Sequence, residues 1–361
     1  MEARWWRRGE DGVALCRLCP HACRIAPGHA GICGVRENHD GTLVAASYGI
    51  CTSIAVDPIE KKPLYHFLPG SDILSVGAYG CNFRCPFCQN YEISQGEGQN
   101  RGQPPISVAA VPGRIAARAR NRWLSPVLPE DLVALARQQR GNRGISYTYN
   151  EPLIGLEYVQ DCAKLAHEHG LANVLVSNGF VNREPFEEVA PLIDAINIDI
   201  KSIDPGFYTR LCHGKLDPVL ATAQVAKRYM HVEVTNLIIT DENDSIDGLR
   251  ALAQWVGENL GRDTPLHFSR YRPAYRMTNP PTPEATLKEA WEVAREYVDH
   301  VYLGNVLIPG TSDTHCAGCG ATLVSRSGFA TRMQALGSDA TCTKCGAQAP
   351  FVMAGPPPVG G

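Results

Sequence analysis

The chain has 361 residues, 34 Lys+Arg against 37 Asp+Glu, a formal net charge of -3 and 44% hydrophobic residues. This length and balance describe a globular protein with a core of its own, in one large domain or two or three smaller ones, and exclude a disordered or fibrous chain. No apolar run approaches the roughly 18 residues of a membrane span, and MEARWWRRGEDGVALC lacks the apolar stretch of a secretory signal. A cytoplasmic protein with no membrane partner is expected, and there the 14 cysteines point to metal rather than disulfides.

In chain order, residues 1–56 form a Cys-rich segment with Cys16, Cys19, Cys23 and Cys33 spaced C-x2-C-x3-C-x9-C. Gly28 and Gly31 can turn the chain back so that Cys33 joins the others, and His21 and His29 are spare ligands. A structural zinc site is the first reading of this second metal group. An auxiliary iron–sulfur cluster is the second, and an unmetallated segment the third. A strand-like patch follows around Leu43–Val56.

Residues 57–309 alternate short apolar runs with helical patterns. Strands are predicted at 73–79, 145–150, 173–178, 195–201, 231–239, 265–271 and 300–306. Helix starts are marked by Pro129 with Glu130 and Asp131, by Ser245, and by Thr282-Pro283-Glu284. Leu287, Trp291, Ala294 and Val298 make one apolar helical face, read as core packing. Such alternation implies an α/β fold with a parallel sheet.

Strand periodicity sets Asn197, Asp199 and Lys201 opposite three isoleucines, and His231, Glu233 and Thr235 opposite two valines. Strands of an open doubly wound sheet are apolar on both faces. A polar inner face suits a ligand chamber, so an incomplete (β/α)6-type barrel is expected, with its site at the C-terminal strand ends. His267, Arg270 and Tyr271 end a later strand and are candidates to face a substrate.

After the first strand comes Gly80-Cys81-Asn82-Phe83-Arg84-Cys85-Pro86-Phe87-Cys88-Gln89-Asn90. Three thiolates within eight residues, as Cys81, Cys85 and Cys88 supply, can hold three irons of a [4Fe–4S] cube and leave the fourth open for chemistry. A zinc knuckle completed by a distant histidine is the other reading. C-x3-C-x2-C is the signature of the radical SAM superfamily. With DPIEKKPLYHFLPGS at 57–71 and SYTYNEP at 146–152, the chain resembles the radical SAM member of the AmmeMemoRadiSam group, related to pyruvate formate-lyase activating enzyme.

The resemblance covers most of residues 13–350 and implies an enzyme that cleaves S-adenosylmethionine reductively. The product would be a 5′-deoxyadenosyl radical that abstracts hydrogen from a protein or small molecule. It implies an external one-electron donor such as flavodoxin or ferredoxin, and Memo-like and Ammecr-like partners. It sets Phe87 against the adenine and Glu151 on the methionine ammonium. Asn178, in Ser177-Asn178-Gly179, would contact ribose or the methionine carboxylate, and Asp199 and Lys201 match a D-x-K of activating enzymes. The family's Gly-Gly-Glu is here Tyr149-Asn150-Glu151, a departure that favours, as a second hypothesis, an electron-transfer or scaffold protein with a non-catalytic barrel.

Residues 310–350 carry Cys316, Cys319, Cys342 and Cys345 as two C-x2-C knuckles, each followed by glycine. This is the pattern of a zinc ribbon, with a rubredoxin-type iron as the other metal. Cys51, Cys162 and Cys212 stand alone and are read as small buried apolar residues. An Arg-rich insertion is expected at 98–128, within a stretch 101–143 that holds eight arginines against Glu130 and Asp131. It reads as a solvated surface segment, with a nucleic-acid-modifying radical enzyme as a third hypothesis. The slightly acidic chain, with no aromatic platform beyond Trp123, argues against a nucleic-acid partner. A disordered tail is expected at 351–361 from GPPPVGG.

Overall fold

The structure, a computed structural model, describes residues 1–95 and 126–354 and the backbone of 107–108. The N-terminal segment forms a three-stranded antiparallel sheet of β1 (Trp6–Arg8), β2 (Ala14–Cys16) and β3 (Arg24–Ile25). A hairpin of β4 (Arg36–His39) and β5 (Thr42–Ala45) follows. Its two-residue turn is Asp40-Gly41, with φ of 50° and 86°, the left-handed pair that matches the twist of a tight hairpin.

The central sheet contains β6 (Ser53–Pro58), β7 (Asp72–Gly77), a two-residue edge strand β8 (Ser107–Val108), β9 (Asn142–Tyr147) and β10 (Ala172–Ser177). It continues with β11 (Ala195–Asp199), β12 (His231–Ile238), β13 (Leu266–Arg270) and β14 (Val301–Gly304). The order is β14-β13-β12-β11-β10-β9-β7-β6-β8. From β7 to β14 every neighbouring pair is parallel, and β6 runs antiparallel to β7. Crossover helices α1 (Pro129–Gln138), α2 (Leu156–Glu168), α3 (Arg183–Val189), α4 (Leu216–Ala226), α5 (Ile246–Asn259) and α6 (Glu284–Ala294) connect the strands. Sequential parallel strands joined by helices are the pattern of a partial barrel.

Each predicted strand of the middle region has its counterpart within a few residues. The helix starts also agree, with Ser245 Oγ capping Gly248 N. In α6 the apolar face is core, since Leu287, Ala294 and the following Val298 are fully buried. The boundary at 56/57 falls inside β6, because that strand leaves the Cys-rich segment and joins the barrel sheet. The Arg-rich insertion at 98–128 lies largely outside the described residues.

Residues 59–68 close the barrel beside the N-terminal strand ends. Asn197 Nδ2 on β11 donates to Pro63 O at 2.8 Å. Glu233 on β12 is fully buried and accepts from the amides of Tyr65 and His66 at 3.0 and 2.7 Å. The same carboxylate takes His231 and His267 at 3.0 and 2.6 Å. Burial opposes its ionisation, but the two histidine bonds prevail and hold its carboxyl well below the usual range.

The C-terminal module, with β15 (Thr314–His315), β16 (Thr322–Ser327) and β17 (Ala330–Met333), has a small core that includes Leu323, Val324, Leu336 and Phe351. It braces the plug: Arg326 donates to Tyr65 O at 2.7 Å, Thr331 Oγ1 to Glu60 at 2.7 Å, and Phe351 stacks on His66 at 4.2 Å. The expected tail at 351–361 therefore begins too early. Phe351 is buried and Val352 pairs with Phe67, since the barrel plug offers them an apolar surface and free backbone groups.

Candidate active site

The loop after β7 carries the cysteine triplet. Its first turn is tight: at Gly80, φ is +84° and a Cβ would stand 2.5 Å from Cys33 O and 2.7 Å from a Val35 methyl. Only glycine fits so close an approach in the left-handed region. Asn82 ties the loop to the rest of the site, donating to Phe180 O at 2.7 Å and accepting from Asn178 Nδ2 at 2.9 Å. From the N-terminal segment, His21 Nε2 lies 2.8 Å from Asn82 O, and Arg84 reaches back to Ile32 O.

Cys81, Cys85 and Cys88 face one cavity of about 1150 Å³ that is also lined by Phe87, Asn150, Glu151, Asn178, Asp199 and Lys201. All the residues expected around the triplet thus converge. Burial raises the Cys81 and Cys88 thiols, and contact with Cys212 followed by burial raises Cys85. A metal bound to these sulfurs would favour their thiolate form. Hydrogen-bond donors already aim at the sulfur: Phe83 N lies 3.3 Å and Asn178 Nδ2 3.7 Å from Cys81 Sγ. Three sulfurs at one end of a roomy cavity, with such donors around them, fit an iron–sulfur cube with one iron facing the chamber.

Glu151 is held by Ser177 Oγ at 2.7 Å, Asn178 N at 2.8 Å and Leu153 N at 2.9 Å. Burial nevertheless lifts its carboxyl to about 7. Asn150 fastens the triplet loop, accepting from Ala78 N at 2.9 Å and donating to Gly80 O at 3.1 Å. Tyr149 has φ +72°, the backbone that a glycine adopts without cost. The Tyr149 phenol donates to Asp57 Oδ2 at 2.5 Å.

Asp199 Oδ2 and Lys201 Nζ pair at 2.5 Å, and Lys201 stands 5.7 Å from the centre of the Phe87 ring. His267 lines the cavity and Arg270 is on its margin. Tyr271 does not face it: the side chain is fully buried and donates to Met277 O at 3.0 Å, because the strand has ended and the chain turns into the core. Two groups lining the cavity carried no expectation from the sequence, Lys61 and Lys62, and Tyr149, noted there only as a departure from glycine, joins them. Two adjacent lysines inside a segment otherwise rich in Pro, Leu and aromatics were the signal that could have found them.

The remaining cysteines divide. Cys316 Sγ to Cys345 Sγ is 3.6 Å and Cys319 Sγ to Cys342 Sγ 3.7 Å. A tetrahedral metal with sulfur bonds of about 2.3 Å sets its ligands about 3.8 Å apart, so this quartet has the dimensions of a mononuclear site. Among the described residues it is the one group of three or more Cys, His or acidic side chains whose ligand atoms all lie within 4.8 Å. Cys16, Cys19, Cys23 and Cys33 share one module but do not close to that distance. Cys51, Cys162 and Cys212 are buried.

A family model described as the radical SAM superfamily matches residues 76–256. The chain is 40% identical over 356 residues to an uncharacterized protein of Methanocaldococcus jannaschii, covering 98% of this chain and 99% of that one. It is 25% identical over 126 residues to (2S)-3-sulfopropanediol dehydratase activating enzyme of Klebsiella oxytoca, covering 34% of this chain and 39% of that one. A domain of pyruvate-formate lyase-activating enzyme from Bacteroides vulgatus superposes with a TM-score of 0.40 and 17% identity, over 45% of this chain and 99% of that domain. With the triplet, the partial barrel and the shared chamber in place, the chain belongs to the radical SAM superfamily.

Proposed function

We propose that this radical SAM enzyme is of the AmmeMemoRadiSam type and works by hydrogen abstraction inside the chamber. The observation that carries the reading is the convergence of Cys81, Cys85 and Cys88 with Glu151 and Asn178 on one cavity of about 1150 Å³. When bound there, a [4Fe–4S] cluster with S-adenosylmethionine supplies a one-electron cleavage that yields a 5′-deoxyadenosyl radical.

The chain's own residues do the rest. Cys81, Cys85 and Cys88 hold the cluster, while Phe83 N and Asn178 Nδ2 stabilise the Cys81 sulfur. Glu151, fixed by three hydrogen bonds, presents its carboxylate to the methionine ammonium, and Phe87 forms an apolar wall beside Lys201. Tyr65 and the rest of the plug exclude water from the opposite end. The C-terminal quartet holds zinc and folds a module too small to be stable on its core alone. Zinc or an iron–sulfur cluster at the N-terminal cysteines, an external electron donor such as flavodoxin or ferredoxin, and Memo-like and Ammecr-like partners complete the reading.

Anaerobic reconstitution with iron and sulfide, followed by dithionite and S-adenosylmethionine, is expected to release 5′-deoxyadenosine, measured by chromatography. Cys85→Ala is expected to abolish it. Release by that variant at the native rate would sink the assignment.

A further inference from the structure

The floor of the chamber carries a charge that the steps above leave unused. Lys62 is only 1% exposed, yet it lines the cavity. Its Nζ donates to Asp57 Oδ2 at 2.6 Å and lies 4.7 Å from the centre of the Tyr149 ring. Lys61 donates to the other oxygen of the same carboxylate at 2.8 Å, and Tyr149 Oη donates to Oδ2 as well. One carboxylate therefore serves two ammonium groups and a phenol.

The neighbouring acid does not correct the balance. Glu60 lines the cavity as well, but burial pushes its carboxyl up; its Oε1 accepts from Gly70 N and Thr331 Oγ1, each at 2.7 Å, and its Oε2 has no hydrogen-bond partner among the described residues. Lys201 has Asp199 for itself, and the Nε of Arg270 is engaged with Thr282 O. Lys62 is buried and paired with Asp57 while Lys61 is 45% exposed, so two ammonium groups around one carboxylate give the floor a positive field suited to an incoming anion. Burial draws the Lys62 ammonium down to about 8 in spite of Asp57, and an arriving oxyanion would favour its charged form further.

We propose that Lys62, assisted by Lys61, is the docking group for an oxyanion, carboxylate or phosphate, of a small acidic substrate. Its hydrogen-bearing carbon then lies between the floor and the cysteine triplet. The proposal rests on the radical reading above and narrows it. An acidic small molecule matches both the depth and the charge of the floor.

The test uses selenate as the probe on the full reconstituted chain. In crystals of the wild type, anomalous density is expected within hydrogen-bond distance of Lys62 Nζ. In solution, Lys62→Met is expected to weaken selenate binding at least about tenfold, and Lys62→Arg is expected to keep most of it. Displacement of selenate by malonate or by inorganic phosphate then separates a carboxylate from a phosphate substrate. Should Lys62→Met fail to fold, the wild-type crystal decides alone. Selenate absent from the floor, or bound equally by wild type and Lys62→Met, overturns the proposal. Wild type that binds selenate at Lys62 but releases no 5′-deoxyadenosine with dithionite would instead overturn the radical reading on which the proposal rests.

Discussion

Replacing Glu233 by leucine tests whether the plug is held as described. The carboxylate is fully buried and accepts four hydrogen bonds, two from the amides of Tyr65 and His66 and two from His231 and His267. The two amides are fixed by the chain and lose their acceptor outright. Each buried donor left without an acceptor costs about 1–3 kcal/mol, or about 2–6 kcal/mol for the pair. Relief of the buried charge offsets part of this, leaving a net loss of about 2–4 kcal/mol. At about 2 °C per kcal/mol for a chain of this size, the thermal midpoint should fall by about 4–8 °C, read by circular dichroism at pH 7.

The sign of the pH dependence follows from the lowered carboxyl. A folded pKa below the unfolded value contributes stability above the unfolded pKa, and that stability is lost as pH falls through the folded one. The gap between wild type and Glu233→Leu should therefore persist at neutral pH and close in acid. A drop of less than about 2 °C at pH 7, or a gap that widens in acid, would refute the reasoning.

Two further outcomes are expected. Because burial lifts Glu151 to about 7, its carboxylate is formed only as pH rises through that value. S-adenosylmethionine affinity, measured by equilibrium dialysis on the anaerobic holoenzyme, should increase from pH 6 to 8, and Glu151→Gln should flatten and weaken it. Cys319→Ser should lower the bound metal, zinc in the proposed reading, by one ion per chain in elemental analysis, because three sulfurs cannot close the tetrahedron. It should also loosen Phe351 and Val352 from the plug, read as faster amide exchange in residues 64–70; unchanged metal content would count against the quartet.

The triplet was legible because its ligands lie on one short loop, and local spacing is enough to express such a motif. Alternation along 195–201 and 231–239 also showed which side chains face inward, since strand geometry is local. The role of 57–68 was not legible. Nothing in DPIEKKPLYHF states that it will lie under β11 to β13, or that Glu233, more than 160 residues later, will cap its amides. Tyr271 shows the converse failure: period two places it with Ser269 on one face, but the strand ends at Arg270 and the rule stops applying.

By itself the sequence determined what short-range chemistry can specify: the open cysteine triplet, the paired knuckles, the strand–helix alternation and the polar inner face. Only the tertiary structure decided that β6 belongs to the barrel, that the C-terminal module braces the plug, and that two lysines sharing one carboxylate line the same cavity as the cysteines. Those outcomes depend on contacts between residues far apart in the chain. Such contacts are selected by burial, by the pairing of buried polar groups and by the spare backbone donors of residues 59–68.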